Sequence, residues 1–261
     1  DFKYLRTRWR SNTEEERLLG VSLTGIMDCA ILHKPDSDKT LKLLKDTVIA
    51  TNKKWSKLLG IPQSTATTCV KPSGTVSQLT DSASGIHARH APYYVRTVRG
   101  DVKDSLTQFL MNQNIPNEPD FNSPSNTVVF SFPFKSPDAA ICRTDIKALE
   151  QLHTWKRFSD HWCEHKPSVT VSVKEHEWIE VGNWCYKNFD SLSGISFLPF
   201  SDHSYRQAPY QDSTKEDYKK LCADMPKSIN WKEFDNYEKE DNTKASQELA
   251  CSAGVCEVVD I

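Results

Sequence analysis

Between residues 127 and 198 the chain alternates between two hydrophobic periods. Thr127-Val128-Val129-Phe130-Ser131-Phe132, Ser168-Val169-Thr170-Val171-Ser172-Val173 and Gly194-Ile195-Ser196-Phe197-Leu198 are strand-like runs, and residues 146–163 and 175–189 between them carry helical patterns. Strand, helix, strand, helix, strand needs crossover connections, because neighbouring parallel strands cannot be joined by a tight turn. The expected fold is therefore α/β with a parallel sheet.

Upstream of that block the pattern predicts two helices. Ser11-Asn12-Thr13 followed by Glu14, Glu15 and Glu16 reads as a helix start with acid in its first turn, continued by Leu18, Leu19, Leu23, Ile26 and Met27. A second helix is predicted from about Ser37 to Leu59 on the spacing of Leu41, Leu44, Val48, Thr51 and Trp55, with Gly60-Ile61-Pro62 ending it. From about Pro226 onward, Lys232, Glu233, Asp235, Glu238, Lys239, Glu240 and Asp241 predict a solvated linker. The expected division is thus a folded part over 1–225 and a charged linker with a tail over 226–261.

Charge and cysteine usage narrow the class of partner. The 33 basic and 35 acidic residues nearly cancel, which argues against a broad nucleic-acid footprint. No apolar run approaches the roughly 20 residues that span a bilayer, and no charged-then-apolar leader opens the chain, so no membrane partner is expected. The 8 cysteines of 261 residues are too sparse for a disulfide scaffold and show no Cys-x-x-Cys zinc spacing, which fits a reducing cytosol. The chain opens at Asp1 and runs directly into Phe2-Lys3-Tyr4-Leu5-Arg6, from which an upstream part is expected to be missing.

Two segments suggest chemistry. Cys251 and Cys256 flank Ser252, Ala253 and Gly254 near the end of the chain, where small residues allow two thiols to meet and swing toward another disulfide. The same pair also reads as two ordinary reduced cysteines in a frayed terminus, or as half a metal site. Lys71-Pro72-Ser73-Gly74-Thr75-Val76-Ser77 offers glycine, hydroxyls and a turn whose backbone amides can face an anion, yet it lacks the Gly-Lys-Ser/Thr ending of a Walker loop. It is either a phosphate cradle or only a polar loop.

Other segments favour plainer readings. Asn183-Trp184-Cys185-Tyr186-Lys187 nearly spells the Asn-x-Cys-x-Glu of a radical cysteine loop, but Lys187 stands in place of the glutamate and the surroundings fit an amphipathic helix with Cys185 in the core. His87, Arg89 and His90 read equally as a polar wall to a nucleotide site or as part of a solvated edge strand with Tyr93, Tyr94, Arg96 and Arg99. His153, His161 and His165 are read as a solvated helix face, although His161 and His165 have the spacing of a zinc pair.

Read in order, several of these segments resemble a known family. Gly20-Val21-Ser22-Leu23-Thr24-Gly25-Ile26-Met27-Asp28, the run from Ser64 to Ser77, Val173-Lys174-Glu175-His176-Glu177-Trp178, Ser193-Gly194-Ile195-Ser196-Phe197-Leu198-Pro199 and the terminal cysteine pair are similar to the C-terminal part of class II, adenosylcobalamin-dependent ribonucleotide reductases, especially the monomeric triphosphate-reducing kind. The resemblance covers nearly the whole chain. It implies part of a ten-stranded α/β barrel with a flexible redox tail. It also implies that Pro72, Ser73, Gly74, Thr75, Val76 and Ser77 bind the substrate's phosphates, and that Cys251 and Cys256 reduce the disulfide left by each turnover and are then reduced by thioredoxin or a similar dithiol. In that chemistry the cofactor adenosylcobalamin gives rise to a thiyl radical on a barrel cysteine, and two further cysteines reduce the ribonucleotide to its 2′-deoxy form.

The chain departs from the family's full pattern because no Asn-x-Cys-x-Glu occurs in it. Cys29, Cys69, Cys142, Cys163 and Cys222 have no motif that would assign them the reducing role. The expectation is an incomplete, cytoplasmic reductase that needs its N-terminal half for turnover. The alternatives are a nucleotide-binding remnant without reductase activity and a thiol-relay protein whose tail serves another partner.

Overall fold

The computed structural model describes residues 4–138, 140–200 and 205–238. In chain order the elements are α1 (Thr7–Glu16), β1 (Val21–Ser22), α2 (Ala30–His33), α3 (Asp38–Leu59), β2 (Thr68–Cys69) and α4 (Val76–Leu79). There follow β3 (Tyr93–Asp101), α5 (Ser105–Asn112), β4 (Asn117–Pro119), β5 (Thr127–Lys135) and α6 (Ala148–His161). The last are β6 (Val169–Val173), α7 (Trp178–Lys187), β7 (Ile195–Pro199), β8 (Tyr210–Asp212) and α8 (Lys215–Asp224). They form two compact units, the first from the described residues of Asp1–Pro92 and Ser136–Asp202, the second from those of Tyr93–Lys135 and His203–Ile261.

The first unit is built on two parallel strand pairs. β6 and β7 pair in parallel from Val169 with Ile195 to Val173 with Pro199, and α7 makes the crossover that this direction demands. Val169, Val171 and Val173 point into the core while Thr170 and Ser172 alternate outward, the period-2 pattern expected of a half-buried strand. α6 covers them with Leu152, Trp155 and Phe158, all fully buried. Because a buried indole must keep a hydrogen-bond acceptor, Trp155 donates to the Pro167 carbonyl at 3.0 Å and Trp162 to the Cys69 carbonyl at 2.8 Å. The second parallel pair is short, Val21 with Thr68 and Ser22 with Cys69.

The helix predicted from about Ser37 to Leu59 forms as α3 and stops at Gly60, whose φ of 65° is the left-handed conformation that closes a helix most cheaply on glycine. The helix predicted to start at Ser11 does not form as expected. α1 starts earlier and ends at Arg17, with φ of 47°, so Glu14, Glu15 and Glu16 occupy its last turn. Leu19 and Val21 then donate their amides to the carbonyls of Ala66 and Thr67, and Ile26 and Met27 enter the core from a 3₁₀ turn. The spacing of these apolar residues imitated a helix, but the amides of Leu19, Val21 and Ile26 bond to the carbonyls of Ala66, Thr67 and Gly85 rather than within a helix.

The second unit is antiparallel, with strand order β4-β5-β3-β8. β5 pairs with β3 from Tyr93–Lys135 to Asp101–Thr127, so the run at 127–132 does not join a parallel sheet. Tyr94 is buried and stacks on Phe134 at 5.4 Å between ring centroids, and the Arg96 guanidinium lies 4.3 Å from the centre of the Tyr210 ring. These contacts fit the stacked Arg and Tyr of that reading, but β3 lies between β5 and β8 and is not the solvated edge strand expected. The charged run after Pro226 is not a solvated linker as far as Tyr237. Trp231, Phe234 and Tyr237 close on the fully buried Phe109 of α5 with centroid distances of 5.3, 5.3 and 5.6 Å. No helix among the described residues is long and apolar enough to cross a membrane.

Candidate phosphate-binding site

The segment from Lys71 to Ser77 leaves β2, turns, and enters the single turn of α4. Its anchors are side-chain hydroxyls. The Lys71 amide donates to Ser22 Oγ at 3.0 Å and the Ser73 amide to Ser84 Oγ at 3.0 Å. Ser73 Oγ lies 2.7 Å from Thr24 Oγ1, and the fully buried Ser77 donates its hydroxyl to the Ser73 carbonyl. The loop is thereby tied down from its inner side. Outward, Pro72, Gly74, Thr75 and Val76 are exposed, and a Cβ added at Gly74 would meet nothing within 4 Å. The amides of Gly74, Thr75, Val76 and Ser77 have no hydrogen-bond acceptor among the described residues. Successive uncommitted amides on a fixed turn form a concavity suited to an anion.

Two further turns hold this loop from behind. Residues 24–28 meet residues 81–85: the Gly25 amide donates to the Ala83 carbonyl at 2.7 Å, the Gly85 amide to Thr24 Oγ1 at 2.9 Å, and the Ala83 amide to Asp28 Oδ2 at 2.7 Å. Gly85 has φ of 57°, and an added Cβ would sit 2.9 Å from the Lys71 carbonyl oxygen, so the backbone approach requires glycine twice over. Buried Arg89 closes the assembly, with Nη2 2.8 Å from Asp28 Oδ2 and Nη1 3.1 Å from Asp81 Oδ1.

His87 and Arg89 therefore face inward, and neither lies on an edge strand. His87 Nε2 accepts the Thr170 amide at 3.0 Å and Nδ1 lies 3.0 Å from the Ser84 carbonyl, which requires a neutral ring protonated on Nδ1. Burial lowers its pKa, partly offset by the bond to Ser84. The sequence pointed to the loop but missed Thr24, Asp28 and Ser84 as its supports. The first two stand in the Gly20–Asp28 segment, where a glycine directly after a threonine was the only local signal of a tight turn.

The remaining residues with chemical potential are dispersed. Cys251 and Cys256 lie outside the described residues. Cys185 is half-buried against the core of the first unit and burial raises its thiol pKa, as expected for a packing residue. Cys163 is pushed up to about 12, first by burial and then by neighbouring Cys69, so it is a thiol at neutral pH. His161 Nε2 lies 3.5 Å from Asp38 Oδ2 whereas His165 Nε2 lies 2.7 Å from the Leu19 carbonyl, so the two do not share a ligand position. No group of three or more metal-ligating side chains occurs among the described residues. A cavity of about 950 Å³ runs along α1 and α3 past Trp9, Leu18, Leu19, Trp55, Leu59 and Ile61, and no residue of the Lys71–Ser77 loop lines it.

No protein-family model matches the chain. It is 25% identical, over 95% of its length, to the adenosylcobalamin-dependent ribonucleoside-triphosphate reductase of Lactobacillus helveticus. It is 27% identical, over 97% of its length, to the probable adenosylcobalamin-dependent ribonucleoside-triphosphate reductase of Dictyostelium discoideum. The chain resembles the class II ribonucleotide reductases. The crystal structure of a B12-dependent, class II ribonucleotide reductase superposes with a TM-score of 0.75 at 23% identity, covering 88% of this chain and 36% of that one. The α/β architecture is thus that of a class II reductase over the matched region. The chain spans 37% and 34% of the length of the two curated relatives.

Proposed function

We propose that this chain is part of a cytoplasmic, adenosylcobalamin-dependent reductase that converts ribonucleotides, in particular triphosphates, to 2′-deoxyribonucleotides by a thiyl-radical mechanism. Its own contributions are the substrate-phosphate loop Pro72–Ser77 and the tail dithiol of Cys251 and Cys256. The observation that carries the reading is the run of unclaimed amides from Gly74 to Ser77 on a turn pinned by Ser84 and Thr24. Backbone donors held in advance bind phosphate oxygens without reorganisation, and Gly74 lets the ligand approach the backbone.

Adenosylcobalamin would supply the radical chemistry, and no set of residues fitted to hold it occurs among the described residues. The cavity along α1 and α3 has a mixed lining, apolar side chains such as Trp9, Leu19 and Trp55 beside Arg8, Glu16 and Arg17, and carries no feature that selects a corrin. We assign the cobalamin contacts, the radical cysteine and the two reducing cysteines to the part of the relatives beyond the matched third, which an N-terminal portion of the enzyme would have to provide. The matched part belongs to a ten-stranded barrel in this reading. Cys251 and Cys256 carry electrons from thioredoxin or a similar dithiol to the active-site disulfide.

Titration of the ¹⁵N-labelled chain with CTP tests the phosphate loop. The expected result is a saturable shift of the Gly74–Ser77 amides that Ser73→Ala weakens. Saturable binding elsewhere, or none at millimolar CTP, would overturn the assignment. In a completed enzyme, replacing Cys251 and Cys256 by Ser should stop turnover driven by thioredoxin and spare turnover driven by a small dithiol. Binding without deoxynucleotide formation by the completed enzyme would identify a remnant instead.

A further inference from the structure

Thr24 Oγ1 has three polar neighbours and only one proton to give. The Gly85 amide, 2.9 Å away, can only donate to it, and the Ala83 carbonyl, 3.1 Å away, can only accept from it. The third neighbour, Ser73 Oγ at 2.7 Å, must then supply the proton for that contact itself. In this arrangement the Ser73 hydroxyl is spent on Thr24 and keeps only lone pairs for a further partner, the wrong polarity for an anion.

The Ala83 carbonyl does not depend on Thr24, because it also accepts the Gly25 amide at 2.7 Å. Thr24 can therefore turn its proton from Ala83 to Ser73 Oγ and leave no buried acceptor unpaired. Ser73 is then free to donate outward. Each proton stays on its own oxygen, and only the direction of two O–H bonds changes.

We propose that Thr24 is a positioning residue that sets the hydroxyl direction of Ser73, the pair pointing Ser73 to Thr24 to Ala83 when the loop is empty and Thr24 to Ser73 to phosphate when it is filled. This rests on the reading of Pro72–Ser77 as a phosphate loop. A chain of aligned hydroxyls strengthens its terminal bond by polarisation, so Thr24 raises the affinity of a group it never touches. Charge on the ligand is what drives the reversal, so a neutral ligand of similar shape gains nothing from Thr24.

The test uses tripolyphosphate and the full 261-residue chain, read by the amides of Gly74–Ser77. Thr24→Val, which keeps shape and removes the hydroxyl, is expected to weaken binding about tenfold, the order of one hydrogen bond to a charged group. Thr24→Ser should bind as the wild type does. The decisive comparison is Thr24→Val in a Ser73→Ala background, where the relay has no terminal member and the second substitution should cost nothing more. If the two losses instead multiply, or if Thr24→Val binds normally, Thr24 merely supports the turn and the proposal is overturned. Should Thr24→Val fail to fold, Thr24→Cys, a weak donor, replaces it with the same expectations. A wild-type chain whose loop amides do not respond to tripolyphosphate would remove the phosphate-loop reading itself, and this inference with it.

Discussion

Arg89 grips Asp28 with two nitrogens, Nη2 at 2.8 Å and Nε at 3.1 Å from Oδ2, in a setting where the arginine side chain is 3% exposed and the aspartate 15%. The same Oδ2 accepts the Ala83 amide, so one carboxylate neutralises a buried cation and holds the turn behind the phosphate loop. Removing the less exposed partner of a buried charge leaves that charge desolvated and poorly compensated. Asp28→Ala is expected to lower unfolding free energy by about 3 kcal/mol. Asp81 touches the same guanidinium at 3.1 Å, but its side chain is 66% exposed and water screens it. Asp81→Asn, which suits the φ of 46° at this position, should cost less than about 1 kcal/mol when the unfolding free energies of both variants are measured by urea titration. Equal losses would show that the two carboxylates share the arginine's charge evenly.

Gly85 and Gly60 separate backbone strain from collision. Both have positive φ, 57° and 65°, so alanine at either pays the left-handed penalty of about 1–2 kcal/mol. Gly60 has open space where a Cβ would stand, whereas at Gly85 the Cβ would press on the Lys71 carbonyl oxygen. Gly60→Ala should therefore show only the backbone cost. Gly85→Ala should cost more and shift the amides of residues 71–77, because it pushes on the strand end from which the loop departs. Thermal unfolding midpoints and amide spectra of the two variants check both halves of this expectation.

The contrast between these sites and the sequence explains what could be read early. α3 was legible because its signals are local, an apolar stripe and a terminal glycine. β6, α7 and β7 were legible because two strands joined through a helix leave few choices of direction. β5 was recognised as a strand but placed in the wrong kind of sheet, since its partner β3 is separated from it by α5 and β4 and nothing in either segment states their pairing. In residues 226–238 charge concealed Trp231, Phe234 and Tyr237, which share a face only once the segment coils into a 3₁₀ turn. The phosphate loop announced itself through hydroxyls and glycine. Its supports did not, because Thr24 reaches Ser73 across 49 residues and no periodicity encodes such a contact.

Glu164 links the end of α6 to β2. Burial pushes its carboxyl up, but bonds from Thr67 Oγ1 at 2.6 Å, the Thr67 amide at 2.8 Å and the Thr68 amide at 3.4 Å outweigh that and hold its pKa below the ordinary value. A depressed carboxyl contributes stability that is present above the unfolded value of about 4.3 and is lost as pH falls through the folded value. Glu164→Gln should therefore be less stable than the wild type at pH 7, with the gap closing as pH drops below about 4.3. The side chain is exposed, so the gap is modest. A difference in unfolding midpoint that stays constant down to pH 3 would show that the carboxylate's charge is not what binds Thr67 and Thr68.

His87 titrates in the opposite chemical sense and with the same dependence on pH. Burial lowers its pKa, and protonation of Nε2 would set an N–H against the Thr170 amide that Nε2 now accepts. Below the unfolded value of about 6.5 the unfolded chain binds the proton first. Its contribution is therefore complete above about pH 6.5 and is lost as pH falls toward the lowered folded value. Ring ¹⁵N shifts should report an unprotonated Nε2 and a protonated Nδ1 at pH 7, with titration only below about 6.5. Because His87 ties Ser84 to β6 and Ser84 receives the Ser73 amide, acidification through this range should also move the Ser73 amide resonance. A Ser73 resonance that stays fixed while His87 titrates would show that the loop is held by Thr24 and Ser84 independently of the histidine.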